Sequence, residues 1–121
     1  MDIKIIMKLF HGLSGISYRI CSGLAFMCEM AKTSIENGIT DTARAQQYKY
    51  QLEYAAAALA YYRYCLWSYS TDSEEVKIGE VTVKTSTREQ TEAALILYNE
   101  ALKNIAVVFD DGGFVFEGVS S

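Results

Sequence analysis

Residues 48–69 read YKYQLEYAAAALAYYRYCLWSY. The stretch carries seven of the nine tyrosines and the single tryptophan, and it contains neither glycine nor proline. Tyr48, Leu52, Ala55, Leu59, Tyr62, Leu66 and Tyr69 recur at alternating spacings of four and three, which keeps them on one side of an α-helix. A second stripe, Tyr50, Tyr54, Ala57, Tyr61, Tyr64 and Ser68, runs beside it at the same spacing. Between Tyr54 and Thr71 the only charged residue is Arg63. An ordinary surface helix has one apolar face and one charged face. A helix apolar over most of its circumference must be covered on most sides, and 121 residues provide few elements to cover it. The reading is a central bundle helix whose surplus apolar edge faces a partner.

Working outward, Ile3, Ile6, Met7 and Phe10 give the spacing of a short N-terminal helix, broken around Ser14 by Gly12 and Gly15. From Ile16 the stripe resumes through Ile20, Leu24, Met27, Ala31 and Ile35, predicting one helix that ends at Asn37-Gly38. There glycine would supply a left-handed terminal residue. Gly23 is a weak point inside that helix, or a place where a neighbouring helix approaches closely. Thr40 and Asp41 are N-cap types for the central helix, which should run to Ser68 or Tyr69. The Ala55–Ala58 block removes side-chain bulk halfway along it, so another helix can cross at short range.

The period then changes. Val76, Ile78, Val81 and Val83 alternate with polar residues around Gly79-Glu80, the pattern of a β-hairpin at about 75–85 that pairs Ile78 with Val81 and Val76 with Val83. Two strands alone are marginal in water, so the apolar face of this hairpin must lie on the helices or on another subunit. Thr87-Arg88-Glu89-Gln90 has the form of a capping box. The stripe Leu95, Tyr98, Leu102, Ile105 and Phe109 predicts a final helix, stopped by Asp110-Asp111-Gly112-Gly113. An extended segment at 114–119 follows, in which Phe114 and Phe116 need a pocket in this subunit or a neighbour.

Half of the residues are hydrophobic and 21% are charged, which marks a globular chain of one domain, 1–121. Lys and Arg outnumber Asp and Glu by six to five in residues 1–60, whereas acids lead by ten to five in 61–121. The formal net charge of −4 excludes the basic stripe that sequence-independent DNA binding requires. Cys21, Cys28 and Cys65 are odd in number and sit in apolar helical contexts, as buried thiols do. Arg19 interrupts the apolar start and no small-residue cleavage site follows, against a signal peptide. Arg63 in mid-segment and the scattered tyrosines argue against a membrane span at 54–71. A cytosolic protein is expected.

Catalytic patterns are absent from the sequence. His11 is the only histidine and sits in a Gly/Ser turn without a nearby acid, so a surface histidine is expected. Cys21 and Cys28 lack zinc-site spacing, and no glycine-rich loop opens a helix after a strand. Asp110-Asp111 and Glu74-Glu75 are pairs of a kind usually solvated at element ends. No catalytic, cofactor or metal site is expected. The tyrosines suit either an aromatic-lined ligand pocket or an interface, where tyrosine buries its ring and keeps its hydroxyl wet. Without convergent charged groups the interface reading leads. Its candidate residues are Tyr50, Tyr54, Tyr61, Tyr64, Val81, Val83, Phe114 and Phe116.

Taken in order, a helix ending in Asn-Gly, the segment AAAALAYYRYCLW, the hairpin VKIGEVTV and a last helix running into DDGGFVF resemble the small head–tail connector proteins of tailed bacteriophages and prophages. The resemblance covers residues 20–119 and is strongest over 55–67, around Gly79 and over 110–116. It implies a mainly α subunit, an antiparallel bundle of three long helices plus a short N-terminal helix, with the hairpin between the last two long helices. It also implies a ring, usually of twelve copies, that sits beneath the portal protein, extends the channel and offers a dock to a tail-completion or stopper protein. Genome DNA would pass through without specific binding, and the protein would reside in the virion or the bacterial host cytoplasm. A small helical ligand-binding protein or enzyme with a tyrosine-lined cavity, and a helical regulatory domain, remain as alternatives.

Overall fold

The 48–69 stretch is the axis of the molecule. In the computed structural model, which describes residues 1–69, 75–78 and 81–109, Lys49–Tyr69 form one unbroken helix, α5. The elements before it are α1 (Ile3–Ser14), α2 (Tyr18–Gly23), α3 (Ala25–Gly38) and α4 (Thr42–Gln47). After it come β1 (Glu75–Ile78), β2 (Val81–Lys84), α6 (Arg88–Asn104) and a 3₁₀ turn at Ala106–Val108. The fold is therefore mainly α, with a two-stranded hairpin between the last two long helices.

Helices α1, α3 and α6 all pack on α5. Its directions follow from individual contacts. The Asp2 N–H meets Glu53 and the Phe10 ring meets Tyr64, so α1 runs parallel to α5. Arg63 reaches Ser34, while Leu52 and Ile39 line a common groove, so α3 runs antiparallel. The Ser86 N–H donates to Ser68 Oγ at 2.6 Å, and Tyr98 stacks on Tyr62, so α6 is antiparallel too. Every residue from Ala55 to Ala60 is buried at this centre. Methyl side chains there let three neighbours approach one helix, and Ile6, Phe10, Ile35, Leu59, Tyr98 and Ile105 fill the space around them. Full burial of each large apolar side chain contributes roughly 1.5–3 kcal/mol before the cost of ordering it.

Local signals set the element ends. Asp2 caps α1 by accepting the Lys4 N–H at 2.9 Å, and Asp41 caps α4 by accepting the Arg44 N–H at 3.0 Å. Thr87 and Gln90 form the complete capping box of α6, each side chain accepting the other residue's backbone N–H. The hairpin has the predicted register, Val76 opposite Val83 and Ile78 opposite Val81.

Four boundaries differ from the sequence reading. The helix expected from Ile16 to Asn37 starts at Tyr18 and breaks at Leu24, separating α2 from α3. At that break a Cβ on Gly23 would lie 3.3 Å from Cγ2 of Ile78, so the close approach that glycine permits is made by the hairpin and not by a helix. Gly38 is helical and buried, whereas Gly15 closes α1 at φ 69° and donates its N–H to the His11 carbonyl. The central helix is interrupted at Tyr48, whose φ of −105° and ψ of 22° separate α4 from α5. The last helix ends at Asn104, and the 3₁₀ turn carries the chain to Phe109, which bridges Ile39. The expectations for Asp110–Gly113 and for the 114–119 segment lie outside the described residues.

Candidate interaction surface

The predicted tyrosine edge does not form one surface. Tyr50 is 69% exposed, whereas Tyr54 and Tyr61 are half-buried against the core. Tyr64 corrects the sequence reading: it is buried, because α1 delivers Phe10 edge-on to its ring at 6.2 Å. Desolvation raises the hydroxyl pKa of Tyr64 and pushes that of Tyr61 up to about 12. These groups therefore stay neutral at physiological pH and behave as packing residues with a polar tip. In the hairpin, Val83 is half-buried against the core; Val81 sits opposite Ile78 in the register. Phe114 and Phe116 lie outside the described residues.

Exposure concentrates elsewhere. Leu66 and Tyr69, the last members of the first stripe, stand out at the end of α5, as does Trp67. The last turn instead buries Tyr64, Cys65 and Ser68, the side on which Ser86 closes over the helix. On α3, Phe26 and Met30 are more than half exposed, one turn apart. This pair was legible, since both positions fall off the Leu24, Met27 and Ala31 stripe. Shallow grooves also indent the surface of the described residues. One, beside α1, runs between Lys4, Ile5, Met7, Lys8 and Tyr18. Another, about 480 Å³, lies where α3 ends and α5 begins, with Met1, Ile39, Ala45 and Leu52 along it and Lys49 and Glu36 among its lining residues.

Glu53 is the feature that sequence reasoning missed. It is fully buried, and its Oε2 accepts the Asp2 N–H at 2.6 Å, so a carboxylate meets the positive end of α1. Its Oε1 has no hydrogen-bond partner among the described residues. Nothing in the spacing distinguishes this glutamate from a solvent-facing one. Only the arrival of the α1 N-terminus over α5 does.

The remaining candidates are structural. His11 is half-buried rather than loose at the surface, with Nδ1 2.5 Å from the Ile16 carbonyl oxygen and its ring 4.3 Å from that of Tyr18. Cys21, Cys28 and Cys65 are buried thiols, and desolvation pushes Cys28 up to about 12. Among the described residues no group of three His, Cys, Asp or Glu is placed to hold a metal ion, and no helix is long and apolar enough to cross a membrane. No protein-family model, characterised protein or solved structure matches the chain.

Proposed function

We propose that this chain is a structural assembly subunit of the head–tail connector type, which forms a ring with its own copies below a portal protein in a phage virion. The observation that carries the reading is the exposure of Leu66, Trp67 and Tyr69 at one end of a bundle whose core is otherwise filled. Aromatic residues are enriched where proteins meet. Phe26 and Met30 provide a second apolar area on α3, and a ring subunit needs two different surfaces, one for each neighbour. The ring, the portal and the tail partner come from the sequence resemblance. The net charge of −4 suits a conduit through which DNA slides without adhering.

The tyrosine-lined cavity gains no support. Tyr62 and Tyr98 stack on one another inside the core, Tyr64 is buried against Phe10, and Tyr50 points into solvent.

Negative-stain imaging of the protein alone and mixed with portal tests the reading. Rings or arcs in either sample are expected, and replacing Leu66 and Trp67 by serine should abolish them while leaving helix content unchanged. Well-folded protein that forms no assembly in either sample overturns the proposal.

A further inference from the structure

The outer face of α1 carries two cations that the bundle itself leaves unpaired. Lys4 and Lys8 are exposed, one turn apart, and neither forms an ion pair among the described residues. Like charges at this spacing repel and slightly disfavour the helix. They border a groove of about 360 Å³ whose other lining residues are Ile5, Met7 and Tyr18. The Tyr18 ring, half exposed, is held against that of His11. Among the described residues no carboxylate lines this groove. Asp2 stands at the start of the helix, where its side chain accepts the Lys4 N–H, and Arg19 adds a cation next to Tyr18. Residues 1–28 thus set Lys4, Lys8 and Arg19 against Asp2, a basic island on a chain of net charge −4.

The outer face of α6 has the opposite pattern. Glu89, Glu92, Ile96 and Glu100 follow at spacings of three and four, so they share one side of the helix, and all are exposed. Two cations accompany them. Arg88 pairs with Glu92 at 3.1 Å, and Lys103 lies one turn beyond Glu100. With both counted, α6 remains acidic, three carboxylates to two cations. Glu89 and Glu100 have no ion pair among the described residues, and the Arg88–Glu92 pair is exposed on both sides, so exchanging it costs little.

We propose that the outer face of α6 in one copy of this chain docks antiparallel on the outer face of α1 in the next. Ile96 then meets Ile5 and Met7, with Glu100 at Lys4 and Glu92 at Lys8, while Lys103 passes toward Asp2. At the α-helical rise the two glutamates are about 12 Å apart and the two lysines about 6 Å, a mismatch of about 3 Å at each end that the long side chains span. Helix α1 reaches α5 through Glu53 and Tyr64, whereas α6 reaches it through Tyr62. The two outer faces therefore belong to different sides of the subunit, and their contact is head-to-tail, the kind that closes rings. Matched charges set partner and register more than affinity, so this contact adds order to the apolar areas on α3 and α5. The inference deepens the ring reading and rests on its self-association, but not on a portal or tail partner.

The test is carbodiimide cross-linking of the full chain, which joins an amine to a carboxylate where the two touch. An equal mixture of unlabelled and nitrogen-labelled protein at low salt tells links between copies from links within one. Links between copies should join Lys4 or Lys8 to Glu92 or Glu100, and added salt should suppress them. Lys4→Glu with Lys8→Glu should lower the assembled fraction in sedimentation. These positions are exposed, and circular dichroism checks that helix content holds. Adding Glu92→Lys and Glu100→Lys to the same chain reverses both faces and should restore assembly. Copies that link only through other residues, an assembly indifferent to the first reversal, or no recovery in the second each overturn this contact and leave the ring reading standing. Protein that stays a single subunit at low salt overturns it too, and the mixture with portal then decides the ring reading by itself.

Discussion

The carboxylate of Glu53, in the second turn of α5, accepts the backbone N–H of Asp2, the residue that caps α1. This 2.6 Å bond joins positions 51 residues apart and is made by a side chain with no exposure to solvent. Glu53→Ala would strand a donor at the start of α1 and open a cavity beside the alanine block. Hydrogen bonds to charged groups contribute about 1.5–3 kcal/mol, so a loss on that order is expected in urea unfolding. Glu53→Gln retains an acceptor and should lose less than half as much.

Ala56 has no exposed surface on a helix that three others touch. Ala56→Leu inserts three carbons where none fit and should destabilise by about 1–3 kcal/mol. Tyr50→Ala, at a largely exposed position one and a half turns away, should stay within about 0.5 kcal/mol. Equal effects at the two sites would contradict the close crossing at the alanine block.

Gly15 closes α1 at φ 69°, and a Cβ built on it meets nothing within 4 Å. Any penalty for Gly15→Ala is therefore backbone strain alone, on the order of 1–2 kcal/mol. Gly12→Ala, within the helix and also unobstructed, should instead gain up to about 1 kcal/mol through helix propensity. Thermal melts of the two variants should move in opposite directions.

Burial raises the pKa of all three thiols, that of Cys28 to about 12, and that of Tyr61 to about 12. A thiol near 8.5 in the unfolded chain and near 12 in the folded one favours folding fully below about pH 8.5 and loses that contribution as pH rises to 12. The melting temperature should accordingly fall progressively above about pH 8.5, with a shallower fall in Cys28→Ala. At neutral pH, aromatic disulfide reagents should modify the thiols only at the rate of unfolding.

What could be read from the sequence was local. Thr87 and Gln90 are three residues apart and complete their capping box by themselves; Ile78 and Val81 are set opposite by the two residues between them. The doubled stripe of 48–69 announced a helix covered on most sides, and α1, α3 and α6 do cover it. What escaped was decided by distant residues. Tyr64 and Tyr61 belong to one stripe, yet only Tyr64 lies within reach of Phe10. Leu66 and Leu59 share the other stripe, but the covering helices leave Leu66 in solvent. Gly15 and Gly38 both follow helical runs, and the left-handed turn falls at Gly15 because the chain there must turn back to place Ile16 in the core.

Helix α6 owes its place to α5, and the order of synthesis gives that dependence a consequence in time. As the polypeptide emerges, α1, α3 and α5 are available to one another well before Thr91, Ala94, Tyr98 and Leu102, the buried face of α6, have been made. Until residues 70–109 follow, at about 5–20 residues per second, the flank of α5 that includes Tyr62 is bare. The nascent chain thus passes a few seconds with its most apolar helix half dressed, the interval in which a holdase chaperone has a surface to hold.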